Sequence, residues 1–159
     1  MAGDVPTMKP LDPAQLSVLR VRSAIVALVL IVPILLLDFA RPQGAVPAGL
    51  PSGAAALLLA VWTALGPRRR YRSWGFAMEE DELHVQHGLL TRVRTIVPFG
   101  RVQHIDVQQG PIERRYGLGT LVLHTAGTRS SAVGLPGLPF EEAGRMRDII
   151  RAKIRQDLL

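Results

Sequence analysis

Two long apolar segments dominate the first half of the chain. The first runs from Ser23 to Leu37 without a charged residue, and apolar neighbours on both sides extend it. As an α-helix it covers about 22 Å of a hydrocarbon core that is about 30 Å thick. The second uncharged stretch runs from Pro42 to Pro67, and its first third is rich in Pro and Gly. We therefore expect a hairpin of two membrane-spanning helices, with the Pro/Gly-rich part as the outer loop.

Capping and helix-breaking residues mark the expected helix ends. Asp12 followed by Pro13 is typical of an N-cap and a first helical residue, so the first helix is expected to begin near Pro13. The second helix is expected to begin at about residues 51–52 and to end where Gly66 meets Pro67.

Small residues recur at four-residue spacing in both apolar segments. They are Ser23 and Ala27 in the first segment, and Ala56, Ala60 and Ala64 in the second. This spacing allows two helices to pack closely in lipid. The alternative is that the spacing only reflects the abundance of alanine in this part of the chain.

Arginines flank the hairpin at its two outer ends. They are Arg20 and Arg22 before the first segment and Arg68, Arg69, Arg70 and Arg72 after the second, with Arg41 alone in the connecting loop. The positive-inside rule then places both chain termini in the cytoplasm, as in a multi-pass protein of the bacterial inner membrane. A secretory signal peptide is the alternative for the first segment, but Asp38 and Arg41 do not suit a cleavage site.

The basic run after the second apolar segment is the candidate membrane-surface site. It consists of Arg68, Arg69, Arg70, Tyr71 and Arg72, and we expect it to lie on anionic phospholipid headgroups. The more specific alternative is that this run binds nucleic acid. No basic or aromatic stripe continues beyond the run, so the net charge of +6 does not predict a nucleic-acid partner.

From Tyr71 onward, alternating apolar and polar residues indicate β-strands. A single helical turn is predicted at 111–117, and an amphipathic helix with an acidic first turn and a basic last turn is predicted after Pro139. The predicted strands are Trp74 to Met78, Leu83 to Leu89, Arg92 to Phe99, Val102 to Gln108, Gly119 to Thr125 and, at the end, Ser130 to Leu135.

These elements predict a small antiparallel barrel or sandwich of six or seven strands, closed at one end by the C-terminal helix. The predicted divisions of the chain are a cytoplasmic N-terminal segment, the transmembrane hairpin, a basic juxtamembrane linker, and the β-rich domain with its helix. Their ranges are 1–22, 23–66, 67–72 and 73–159.

Residues that would indicate catalysis are scarce. The chain has no cysteine, which excludes disulfides, thiolate metal sites and a cysteine nucleophile. Ser130 and Ser131 lack a GxSxG context, and no glycine pattern matches a dinucleotide-binding or Walker loop. His84 and His87 are expected on opposite faces of one strand, without a carboxylate pair close in sequence to complete a metal site. We therefore predict no enzyme activity, cofactor or metal.

The stretch from Arg101 to Gly127 reads RVQHIDVQQGPIERRYGLGTLVLHTAG. In RVQHI, GPIER and YGLGTL it resembles the bacterial membrane-anchored pleckstrin-homology-like (PH-like) proteins, the YdbS/YdbT-like family. The resemblance implies a seven-stranded barrel capped by a C-terminal helix, and a scaffold or partner-binding role. Eukaryotic relatives that bind phosphoinositides use basic residues near the first hairpin. The four acidic residues Glu79 to Glu82 at this place disfavour an inositol-phosphate site.

The best candidate for a partner-binding site is the turn between the fourth and fifth strands. Its residues are Gln109, Pro111, Ile112, Arg114 and Arg115, which combine polar and basic groups with an apolar side chain. The alternative is that the turn only plugs the barrel end.

Together the two apolar segments and the role that the resemblance implies predict a membrane-anchored scaffold or adaptor that docks another membrane or membrane-associated protein at the cytoplasmic face. The alternative is a module that recognises anionic phospholipid.

Overall fold

The computed structural model describes residues 7–41, 47–126 and 132–156. Two long helices come first, α1 (Ala14–Ala40) and α2 (Leu50–Arg72). Most of the expected outer loop, at 42–46, lies outside the described residues, as do Ser130, Ser131 and both chain ends.

α1 begins where the sequence predicts. The Ala14 amide donates a hydrogen bond of 2.8 Å to the Asp12 carboxylate, which therefore satisfies one of the free amides at the helix start. Both helices are long and apolar enough to cross a membrane, and their outward side chains are largely exposed. Leu37 is 70% exposed and Leu58 is 72% exposed, which is the surface that lipid covers in a membrane protein.

The expected end of the second helix at Gly66 and Pro67 is wrong, because α2 continues to Arg72. A proline inside a helix costs about 3 kcal/mol, so the last turns need support from elsewhere. The Tyr71 hydroxyl donates a hydrogen bond of 2.8 Å to the Leu11 carbonyl, and the Tyr71 ring packs against the core of the β-rich part. Tertiary contacts thus hold residues 67–72 in the helix.

The two helices pack along a seam that follows α1 as expected and α2 differently. On α1 the least exposed positions include Ser23 and Ala27, as the small-residue spacing predicts. On α2, Ala56, Ala60 and Ala64 are exposed. The seam is centred on the less exposed α2 positions, and Ala56 and Ala60 border it in a crevice shared with Ala27. The less exposed positions are Ser52, Ala55, Leu59, Thr63 and Gly66.

Six antiparallel strands follow in the described part of the chain, and each matches a predicted strand. They are β1 (Gly75–Met78), β2 (Glu82–His87), β3 (Val93–Pro98), β4 (Val102–Gln108), β5 (Leu118–Thr125) and β6 (Ala132–Pro139). A short helix α3 (Pro111–Arg115) stands between β4 and β5, and α4 (Phe140–Gln156) ends the described chain. In the described residues, β6 begins at Ala132 and runs four residues past its predicted end, because Leu138 still belongs to the hydrophobic core and Gly137 packs against Gln15 of α1.

The prediction of a closed seven-stranded barrel is wrong. The described strands form two separate three-stranded sheets, β1-β2-β3 and β4-β5-β6. β3 ends at Pro98, which has no amide to donate, and a 3-10 turn at Phe99–Arg101 then leads the chain into the second sheet.

The segment before α1 joins the two sheets on the other side. Lys9 pairs with Phe76 of β1 through two main-chain hydrogen bonds of 2.7 and 2.9 Å. Three residues later, the Asp12 amide donates to the Gly137 carbonyl of β6 at 3.0 Å. This segment therefore contacts one strand of each sheet and covers edges that would otherwise be free.

One hydrophobic core lies between the sheets. α4 covers it with Ala143, Met146 and Ile150, each almost fully buried. Leu11 belongs to the same core, and Val18 of α1 is fully buried. The start of α1 and the end of α2 are thus packed onto the β-rich part.

Candidate functional site

The predicted partner-binding turn divides into structural and exposed residues. Gln109 donates a hydrogen bond of 2.8 Å to a main-chain carbonyl of β5, and Ile112 is half-buried. Pro111, Arg114 and Arg115 are exposed. The arginines of this turn are therefore available for binding, whereas Gln109 stabilises the fold.

Glu113 is the residue of this turn that sequence reasoning missed. Its carboxylate is buried and accepts hydrogen bonds from the Gly110 amide at 2.7 Å and from the Arg22 guanidinium at 3.1 Å. The bond to Gly110 follows from their three-residue spacing at a helix start, which is readable in the sequence. The bond to Arg22, 91 residues away, joins α3 to α1 and has no local signal.

The predicted membrane-surface run is the last part of α2. Arg68, Arg69, Arg70 and Arg72 are exposed, and Tyr71 is the structural contact to Leu11. The arginines point in different directions around the helix, so they line different surfaces.

A concave surface with a volume of about 460 Å³ lies between the end of α2 and the β2–β3 turn. We call it the basic pocket, and it is lined by Arg69, Arg72, Ser73, Gln86, Gly88, Leu89 and Arg92. No carboxylate is among these residues, and no ion pair involves its three arginines within the described chain. The sequence shows the arginines of α2 but not that Arg92 joins them.

A second groove lies between β4 and α4, also with a volume of about 460 Å³. We call it the β4–α4 groove. One wall is residues 102–105 of β4, and the other carries Arg147, Arg151 and Arg155 of α4. β4 is the outer strand of its sheet, so its far edge has no strand partner among the described residues. The α4 arginines recur at four-residue spacing, which places them on one helix face.

The histidine prediction is wrong in one respect. His84 is buried, and its Nε2 lies 2.6 Å from a Glu82 oxygen and 4.0 Å from a Glu79 oxygen. Two carboxylates therefore flank this ring, because Glu82 lies on the same face of β2 two residues before His84 and the β1–β2 turn brings Glu79 to it. The three side chains are close enough to hold a metal ion, but the hydrogen bond between His84 and Glu82 already accounts for the position of these two side chains.

His104 and His124 lie side by side on β4 and β5. Both Nε2 atoms approach the Asp106 carboxylate, at 2.8 and 3.1 Å, so the three side chains bind one another on the exposed face of the sheet.

Comparison with known proteins agrees with this architecture. The family described as bacterial PH domain matches residues 14–154. The UPF0699 transmembrane protein YdbS of Bacillus subtilis (strain 168) is 40% identical over 99 residues, which cover 62% of this chain and 60% of YdbS. The UPF0699 transmembrane protein YdbT of the same organism is 26% identical over 106 residues, which cover 65% of this chain and 22% of YdbT. The search of solved structures found no match.

Proposed function

Because this chain belongs to the bacterial PH domain family, we propose that it is a membrane-anchored adaptor that docks a protein partner at the cytoplasmic face of the bacterial inner membrane. The matched stretches cover less than two thirds of either named relative, so the role is argued from this chain's own surfaces.

The observation that carries the proposal is the edge of β4 that has no strand partner in the described ranges, beside a basic helix face. A free strand edge offers main-chain amides and carbonyls to an extended peptide, which adds to the sheet as a further strand. Exposed Gln103 and His104 lie on this strand. The partner we propose is therefore a protein with an extended segment that pairs with β4.

The arginines of α4 define the chemistry of that segment. Arg151 and Arg155 are exposed on the groove side of the helix, and within the described residues neither has an ion-pair partner. Arg147 forms an ion pair of 2.8 Å with Asp148, so its positive charge is partly neutralised. We therefore propose an acidic peptide segment, whose carboxylates bind Arg151 and Arg155 while its main chain pairs with β4.

The charge distribution of the hairpin supports a cytoplasmic location for this groove. Exposed arginines lie at the helix ends next to the β-rich part, as the positive-inside rule requires of a cytoplasmic side. YdbS and YdbT are named transmembrane proteins. That the chain is not an enzyme stays a prediction.

Photo-crosslinking of the full chain in native membranes tests the groove. A photoreactive residue at Gln103 is expected to give a discrete protein adduct, and the same residue at Ile149, on the opposite face of α4, is not. Charge reversal by Arg151→Glu with Arg155→Glu is expected to lower the Gln103 adduct roughly tenfold, because two ion pairs become repulsive. Arg145→Glu, on the far face of α4, is the matched control.

Two results would contradict the proposal. One is a Gln103 adduct that is unchanged by reversal of Arg151 and Arg155. The other is an adduct from Arg114 but not from Gln103, which would move docking to α3.

A further inference from the structure

The basic pocket carries uncompensated positive charge. Arg69, Arg72 and Arg92 surround it, no acidic side chain lines it, and the polar groups of Ser73 and Gln86 complete its wall. Guanidinium groups bind phosphate oxygens through charged hydrogen bonds, often two at a time. The charge and the donors at this pocket therefore suit a phosphate group.

The pocket lies at the membrane boundary. Leu89, on its rim, also lines a crevice of about 260 Å³ between α1 and α2, together with Val26 and Trp62 of the apolar segments. Arg22 and Arg70 lie at the same crevice and mark the polar end of the hairpin. The basic pocket and the crevice thus meet at the Leu89 side chain.

The β2–β3 turn exposes two leucines at this boundary. Leu89 is 59% exposed and Leu90 is fully exposed. The turn is held by Gly88, whose φ is +121°, and a Cβ there would lie 1.9 Å from the Thr91 carbonyl oxygen. Adjacent exposed leucines beside arginines are typical of a segment that enters the headgroup layer, with the apolar side chains toward the acyl chains.

We propose that the basic pocket binds the phosphate headgroup of an anionic phospholipid from the surrounding membrane, with the lipid's acyl chain in the crevice beside Leu89. A membrane lipid, rather than free phosphate, is the occupant because only a lipid fills the pocket and the adjoining crevice together. This site is separate from the β4–α4 groove, so either proposal stands if the other fails.

Lipid binding by the purified full chain in a mild nonionic detergent tests this site. Native mass spectrometry or thermal stabilisation gives the apparent affinity for phosphatidylglycerol and for phosphatidylcholine with the same acyl chains. The wild-type chain is expected to prefer phosphatidylglycerol. Arg72→Gln with Arg92→Gln is expected to weaken phosphatidylglycerol binding about 25-fold, at about fivefold for each arginine.

The matched control removes equal charge elsewhere. Arg101→Gln with Arg145→Gln changes two exposed arginines outside the pocket and is expected to leave the preference unchanged. An equal loss in this control would overturn the proposal in favour of a diffuse charge effect.

The wild-type chain alone also decides the question, whatever the stability of the variants. Equal affinity for the two lipids would overturn the proposal. Stabilisation by inorganic phosphate that matches phosphatidylglycerol would overturn it too, because a soluble anion would then suffice.

Discussion

At the scale of single residues, Gly137 decides how closely α1 approaches β6. Its φ is +72°, and a Cβ would lie 2.7 Å from the side chain of Gln15. Its carbonyl also accepts the hydrogen bond from the Asp12 amide. The absence of a side chain therefore lets the start of the first helix pack directly on the second sheet.

We expect Gly137→Ala to lower the free energy of unfolding by about 1–3 kcal/mol, because the methyl group meets Gln15 and the backbone is left-handed. The measurement is thermal or denaturant unfolding of the full chain in detergent. Gly144→Ala in α4 is the control. A Cβ there meets no atom within 4 Å, and alanine in a helix is stabilising by about 0.5–1 kcal/mol. Equal stability of the Gly137 variant and the wild type would show that α1 is not held by this contact.

At the scale of elements, α3 connects the hairpin to the second sheet through the side chain of Glu113. Glu113 binds Arg22 of α1 and the Gly110 amide, and its carboxylate also lies 3.4 Å from the Thr120 hydroxyl of β5. Because Glu113 is buried while Arg22 is half-exposed, the two partners do not contribute equally. Removing the Glu113 carboxylate leaves the partly buried Gly110 amide and Thr120 hydroxyl without their acceptor. Removing the Arg22 guanidinium costs less stability, because that side chain is already half-exposed and water can take its place.

We expect Glu113→Ala to destabilise the chain by about 2 kcal/mol and Arg22→Gln by less than about 1 kcal/mol. Unfolding of both single variants and of the double variant in detergent measures the difference and the coupling between the two side chains. Equal losses in the two single variants would contradict the view that the α3 cap, rather than the ion pair, dominates.

At the scale of the whole molecule, the helical hairpin and the β-rich part form one packed body. Val18 and Leu11 are buried at their junction, and Tyr71 bonds to Leu11 from the end of α2. The β-rich part is therefore not held by a free linker, and its basic pocket keeps a defined height relative to the membrane. The β4–α4 groove lies on the same packed body.

The proposed orientation has a direct test, because the chain contains no cysteine to interfere. We expect a membrane-impermeant maleimide to label Ala48→Cys in intact spheroplasts, since Ala48 lies beside the outer loop. Gln156→Cys, at the end of α4, should be labelled only after the membrane is permeabilised. The reverse pattern would place the β-rich part outside the cell and contradict the positive-inside argument.

Patterns among residues close in sequence predicted most of the helices and strands. Among the described residues, the six strands, the helical turn at 111–115 and the C-terminal helix lie at their predicted places, although β6 extends four residues past its predicted end. The membrane segments were equally readable, because a run of apolar residues needs no partner to be recognised. Asp12 at the start of α1 belongs to the same class, since its contact is two residues away.

Contacts distant in sequence decided the rest. α2 continues through Pro67 because the Tyr71 hydroxyl bonds to the Leu11 carbonyl. The strands form two sheets because the chain turns after Pro98, and residues 9–12 contact one strand of each sheet on the other side. The candidate sites belong to this second class, because Arg92 meets α2 and β4 meets α4 only in the folded chain. The sequence by itself determined the elements and which two helices are apolar enough to cross a membrane, since both depend on local periodicity and composition. Only the tertiary structure decided where α2 ends, how the strands divide into two sheets and which arginines share a pocket, since those depend on residues that folding brings together.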